Sequence, residues 1–202
     1  MRVLALSDEE SRYYYEHYVP GRLEGFDLIL SCGDLRRGYL EFFATLARCP
    51  VVCVPGNHDA YFEKDPPGGC VLADGRLVTV KGLRILGLGG AMRYREGDNL
   101  YTEEQMARRL RRLSRDVRRA GGFDLLLTHA PARGLNDLDT PAHRGFQCFR
   151  DALDRWQPAC FVHGHVHSSY AVHVPQRCEY GGTTVINACE HAVFEIEKGP
   201  GS

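Results

Sequence analysis

Asp8, Asp34, Asn57, His58, His129, His165 and His167 carry metal-binding or proton-transferring side chains, and each lies in a turn just after a short apolar run. In an open α/β sheet the turns at the carboxyl ends of the strands converge on the crevice where ligands bind, so residues scattered in sequence are expected to meet in space. Two carboxylates, one side-chain amide oxygen and three imidazoles suffice to hold two divalent transition ions that share a bridging carboxylate. This hard-to-borderline donor set suits manganese, with iron or zinc as alternatives. Two ions about 3.5–4 Å apart bind a phosphate oxygen each and lower the pKa of a bound water from about 15.7 towards about 7. The chemistry to expect of such a set is hydrolysis of a phosphate ester.

The elements that must position these groups are also legible. Apolar runs at 3–6, 27–30, 51–54, 83–88, 123–127 and 159–162 each close on a polar or glycine-containing turn, as buried strands do. Segments of helical length at 11–18, 39–47, 102–120 and 146–156 separate several of them, which predicts α/β layers. Thr102 and Gln105 form a capping-box pattern, and Met106, Leu110, Leu113 and Val117 recur at helical spacing, so the third helix is the most sharply defined. Towards the end, 169–174, 183–187 and 192–196 read as strands added without helices. The chain is read as one domain over 1–198, with a frayed tail over 199–202.

Composition excludes several classes. With 202 residues, 44% apolar and 25% charged, the chain can bury a full core and is neither a disordered tail nor a fibre. A net charge of −1 gives no bulk attraction for nucleic acid, so any anion must be bound by a local site. Eight cysteines without a CxxC pair read as mostly buried small residues of a reduced, cytoplasmic protein. The apolar stretch at 3–6 is too short for a signal-peptide core, and no apolar run reaches membrane-spanning length.

Other features divide between functional and packing roles. Arg108, Arg109, Arg111, Arg112, Arg115, Arg118 and Arg119 can grip a nucleic-acid backbone, but a charge run on an amphipathic helix is more often a solvated face. Arg36 and Arg37 either hold a substrate phosphate or simply begin a helix. The glycine-rich segment 87–95 lacks the spacing of a dinucleotide loop, and the loop 130–145 has a length more common in functional loops. His163 reads as a packing histidine, and Tyr13, Tyr14 and Tyr15 as a core face or a stacking surface.

Ser7-Asp8, Gly33-Asp34, Gly56-Asn57-His58-Asp59, Thr128-His129 and Gly164-His165-Val166-His167 together resemble the calcineurin-like metallophosphoesterases, in that family's order and rough spacing. The segment from Thr183 to Ala188 adds a likeness to the branch containing the brain metallophosphodiesterases. The resemblance implies a four-layer α/β/β/α sandwich and a phosphodiesterase or phosphomonoesterase using a hydroxide held between two metals. It implies that Asp8, Asp34 and His167 hold one metal and that Asp34, Asn57, His129 and His165 hold the other, with Asp34 as the bridge. His58 takes the place of the histidine that protonates the leaving oxygen. A nuclease, or a scaffold that keeps the fold and binds a protein partner, is the alternative.

Two positions depart from the family. Its first motif is Asp-x-His, whereas this chain has Glu10 at the imidazole position, which either coordinates through oxygen and favours harder ions or falls short of the metal. Arg37 stands where the family's protein phosphatases have an acidic residue, which argues against that branch. The expected substrate is therefore a small phosphate ester.

Overall fold

The structure is a computed structural model and describes residues 1–167 and 174–197. The expected tail at 199–202 lies outside the described residues, as does nearly all of the strand expected at 169–174. Two sheets face each other. The first has strand order β13-β1-β2-β3-β4, where β1 is Arg2–Ser7, β2 Leu28–Ser31, β3 Val51–Cys53, β4 Val71–Leu72 and β13 Glu190–Glu195. The second has order β11-β12-β10-β9-β6-β5, with β5 Arg76–Val80, β6 Leu83–Leu88, β9 Leu125–Thr128, β10 Cys160–His163, β11 Arg177–Tyr180 and β12 Thr183–Asn187. The helices are α1 (Arg37–Leu46), α2 (Glu103–Arg119) and α3 (Gln147–Trp156).

The apolar runs are continuous because the central strands are covered on both faces. Val3, Ala5, Leu28, Leu30, Val52 and Val54 meet Ile85, Leu125, Leu127, Val162 and Ile186 between the sheets. The alternate residues Leu4, Leu6, Ile29 and Val51 pack outward against Tyr39, Leu40 and Phe43 of α1. On the other side Leu86, Leu126, Phe161 and Val185 pack against Met106, Leu113 and Val117 of α2 and Phe149 and Leu153 of α3. Three apolar interfaces thus bind four layers, α/β/β/α. Strands β1, β2 and β3 run parallel, as do β6, β9, β10 and β12, so both sheets present several carboxyl ends at one edge.

The third helix matches its expected caps. Thr102 Oγ1 accepts the Gln105 N–H, and the Gln105 side chain accepts the Thr102 N–H. Its arginines at 108, 111, 112, 115, 118 and 119 are exposed, while Arg109 is tied to both oxygens of Asp74 at 2.7 Å. The helix expected over 11–18 is only the five-residue π-turn Arg12–Glu16, since Val19-Pro20-Gly21 ends it early. Tyr14 and Tyr15 are packing groups, Tyr14 being buried and Tyr15 standing edge-on to Tyr39 at 4.9 Å and to Phe42 at 5.0 Å, whereas Tyr13 is exposed. Strands β4, β5 and β11 have no counterpart among the expected elements, nor do β7 (Ala91–Met92) and β8 (Leu100–Tyr101), because they are short or only half-buried. β7 lies within the glycine-rich segment, which is an ordered turn tied to the chain near Asn57 through Gly90 N–H to Pro55 O.

Candidate metal centre

The strands deliver the expected residues to one place. Asp8 follows β1, Asp34 follows β2, Asn57 and His58 follow β3, His129 follows β9, and His165 and His167 follow β10. Asp8, Asp34, His129 and His165 each offer a ligand atom, and these atoms lie within 4.8 Å of one another. Asn57 joins them, with its Oδ1 3.0 Å from His129 Nε2.

Tight turns make this convergence physically demanding. Asp8, Asp34 and His165 have φ of 64°, 55° and 68°, a left-handed conformation that costs a non-glycine residue on the order of 1–2 kcal/mol. Gly33 and Gly164 are required for closeness as well as for turning. A Cβ at Gly33 would stand 2.1 Å from Gly56 N, and one at Gly164 would stand 1.9 Å from Ser7 Oγ. Asp59, the last residue of the GNHD segment, ties two of these turns together. Its Oδ2 accepts the N–H of Gly56 at 2.8 Å and that of Asp34 at 2.7 Å. The sequence signal for this role of Asp59 is its position in the GNHD segment.

Backbone carbonyls set the histidine tautomers. His129 Nδ1–H donates to Cys32 O at 2.8 Å, which directs Nε2 towards Asn57 Oδ1 and, at 3.4 Å, Asp34 Oδ2. His165 Nε2–H donates to Ala142 O at 2.7 Å, which leaves Nδ1 for the cluster. A second hydrogen bond that fixes the ring and tautomer is the usual support of a ligating histidine. The loop 130–145 supplies that carbonyl, and His143 lies with its ring 5.2 Å from that of His165.

The charge pattern is strongly coupled. Burial by itself would raise the Asp34 carboxyl, but the neighbouring His129 charge and its hydrogen bond outweigh it and hold Asp34 at about 2. Burial opposes a charge on His129, yet Asp34 and Asp8 bring its pKa up to about 9. Burial, followed by repulsion from His129, lowers His165 to about 3. Burial lifts Asp59 to about 6, with Asp34 adding to the rise.

Asp8 decides what the cluster can do. Its side chain is 1% exposed. Oδ2 accepts the His165 N–H at 2.8 Å, whereas Oδ1 is buried without a hydrogen-bond partner among the described residues. A bare carboxylate oxygen beside another carboxylate and two oriented imidazole nitrogens fits a cation, which would restore the coordination that burial removes.

The outer positions are arranged differently. His167 Nε2 is 3.8 Å from Asp8 Oδ1, while its Nδ1 is 2.9 Å from Glu9 Oε1. Of the two alternatives for Glu10, the structure has its carboxylate turned to Arg36 and outside the group formed by Asp8, Asp34, His129 and His165. Its carboxylate is gripped by the Arg36 guanidinium, with Nε 2.7 Å from Oε1 and a second contact through the other oxygen. A charge-assisted bidentate pair is a strong competitor for a carboxylate that can rotate away from the site. Arg37 pairs with Glu41 and Asp65, so both arginines are spent on carboxylates at the start of α1. His58 is exposed at the rim, its Nε2 4.0 Å from Asp34 Oδ2. His163 is buried, hydrogen-bonded to the Gly164 carbonyl and to Asn136, and is a packing residue.

The sequence profile of the calcineurin-like phosphoesterases matches residues 1–169. The chain belongs to this family. A UPF0046 protein of Caenorhabditis elegans is 24% identical over 218 residues, covering 94% of this chain and 70% of that one. Among solved structures, TT1561 of Thermus thermophilus superposes with a TM-score of 0.64 at 14% identity, covering 94% of this chain and 89% of the other. A dimetal phosphatase of Danio rerio superposes with a TM-score of 0.55 at 14% identity, covering 93% and 86%. The calcineurin-like sandwich expected from the motifs is the fold of this chain.

Proposed function

We propose that this protein hydrolyses a small phosphodiester or phosphomonoester with the help of two divalent cations, manganese being preferred and iron or zinc the alternatives. The observation that carries this reading is Asp8 Oδ1, bare and buried against Asp34, His129 and His165. Leaving such an acceptor unsatisfied costs about 1–3 kcal/mol, a deficit that a cation removes. Asp8, Asp34 and His167 are assigned to one cation, and Asp34, Asn57, His129 and His165 to the other. When bound, the pair supplies Lewis acidity towards the phosphoryl oxygens and acidifies a water. The dimetal phosphatase of Danio rerio, similar in fold, supports the reading of two cations.

The chain's own contribution is orientation and proton transfer. Asp34 would be shared by both cations; its Oδ2 lies towards His129 and His58, and its Oδ1 accepts the His58 N–H at 2.8 Å. That bond fixes the backbone of His58, and its exposed imidazole is free to meet a substrate and to hand a proton to the leaving oxygen. General-acid help of this kind contributes about 10²- to 10⁴-fold. None of the eight cysteines is in a disulfide among the described residues, which is consistent with a reducing, cytoplasmic setting.

The test is hydrolysis of bis-p-nitrophenyl phosphate and p-nitrophenyl phosphate by protein reconstituted separately with manganese, iron and zinc. Metal-dependent turnover is expected. Asp34→Asn should lower it by about 10³-fold or more, the several kcal/mol that the cations contribute. His58→Ala should lower it by about 10²- to 10⁴-fold with bound metal retained. Inactivity with all three metals overturns the reading.

A further inference from the structure

A second donor set lies beside the centre. Glu9, His167 and Cys189 offer a carboxylate oxygen, an imidazole nitrogen and a thiol sulfur, all within 4.8 Å of one another. They come from three separate segments: the turn after β1, the turn after β10 and the turn between β12 and β13. Backbone and side-chain ties hold those segments together. Cys189 forms an isolated parallel bridge with Ser7, and the Glu9 N–H donates to Ser7 O at 2.6 Å. Buried Asn187 links the other two turns, its Oδ1 accepting the Cys189 N–H at 3.1 Å and its Nδ2 donating to Val166 O at 2.7 Å. A cavity of about 330 Å³ lined by Glu9, Gln176, Asn187, Cys189 and His191 gives an approach from solvent.

We propose that Glu9, His167 through its Nδ1, and Cys189 form a second site, sharing the His167 ring with the inner one, for a thiophilic divalent cation of the zinc class. The main cluster contains no sulfur and suits harder ions, whereas one oxygen, one nitrogen and one sulfur match the borderline preference of zinc. Three protein ligands leave a fourth position open to water or an incoming ligand. Zinc bonds of about 2.0–2.3 Å put tetrahedral donors roughly 3.5 Å apart. The Glu9–His167 pair, at 2.9 Å, already has that spacing to within an ångström. On binding, the Cys189 thiol proton and the proton between Glu9 and His167 Nδ1 pass to solvent, and metal–sulfur, metal–nitrogen and metal–oxygen bonds form. The carboxylate and thiolate together cancel the charge of the cation. With Nδ1 engaged there, His167 reaches the inner site only through Nε2, 3.8 Å from Asp8, so the ring holds both cations only as a bridging imidazolate.

The test is a cobalt(II) titration of the full chain after chelator treatment, reading the thiolate-to-cobalt charge-transfer band in the near ultraviolet and the bound metal by mass spectrometry. A saturable band that zinc abolishes is expected. Cys189→Ser should remove the band and lower bound metal by about one equivalent, with the metal-free melting temperature unchanged. Glu9→Gln keeps every thiol and should weaken cobalt binding by at least about tenfold. Absence of the band, or its persistence in Cys189→Ser, overturns the proposal. If the serine variant does not fold, undiminished cobalt binding in Glu9→Gln overturns it. The readout is independent of hydrolysis: a chain inactive towards every phosphate ester can still show the band.

Discussion

Asp8 and Asp124 are aspartates at opposite ends of the parallel strands, and their surroundings differ in almost every respect. Asp124 immediately precedes β9, and its carboxylate is fully occupied by Arg84. The backbone N–H and Nε of Arg84 reach Oδ2 at 2.8 and 3.0 Å, and a terminal nitrogen reaches Oδ1 at 2.6 Å. Asp8 follows β1 with a left-handed backbone and one oxygen that bonds to nothing among the described residues. One end of the strands uses its charge to close the fold. The other carries strained turns, close-packed glycines and an unsatisfied carboxylate, a pattern in which local stability is given up to keep a site open.

The comparison is broken most severely by Asp8→Asn. Replacing a buried carboxylate whose Oδ1 receives no hydrogen bond should leave the melting temperature of the metal-free protein unchanged or raise it, while metal-dependent hydrolysis falls by about 10³-fold or more. Calorimetry of the stripped protein and rates with added manganese measure the two quantities side by side. A variant that melts clearly lower than the parent would mean that Asp8 is an ordinary structural carboxylate.

Asp124→Asn should do the opposite. It removes the partner of a guanidinium that is 28% exposed, so the charge-assisted bonds, discounted for solvent, are worth about 1–2 kcal/mol. At about 2–4 °C per kcal/mol for a chain of this size, the melting temperature drops by a few degrees while hydrolysis is retained. Burial would raise the Asp124 carboxyl, but the Arg84 hydrogen bonds overcome it and hold it below the ordinary 3.8. A depressed folded-state pKa stabilises above the unfolded value and ceases to do so as pH falls through the folded one. The gap between parent and variant should therefore be constant from neutral pH down to about 5 and close below about 4. A gap that widens on acidification would refute the assignment.

How far these ends could be read in advance follows from the residues themselves. Continuous apolar runs such as 3–6 and 83–88 mark strands covered on both faces, and the Thr102–Gln105 box marks the start of α2, because both signals are local. The residues of the inner cluster were legible for the same reason, each standing at the end of such a run. Asp59 was less legible, since its role depends on two N–H groups, one of them 25 residues away in sequence. Cys189 was invisible as a ligand because its partners follow β1 and β10, and no spacing rule links them. Glu10 shows the converse: its sequence position is that of a ligand, but competition from Arg36 decides where the carboxylate turns.

That competition yields the smallest expected effect. Arg36 is 80% exposed and Glu10 18%, so their pair is largely solvent-screened, and its loss should barely move the melting temperature. Arg36→Ala frees the Glu10 carboxylate, whose turn borders Asp8, to rotate towards the centre and add an oxygen donor there. Harder ions gain from an extra carboxylate more than zinc does, so the ratio of manganese- to zinc-supported rates should rise, by less than about tenfold. Arg36→Lys, which keeps the charge but not the two-pronged grip, should fall between the parent and the alanine variant. If both variants leave the metal preference of the parent untouched, Glu10 has no access to the centre, and the inner carboxylates and imidazoles alone determine which ions it takes.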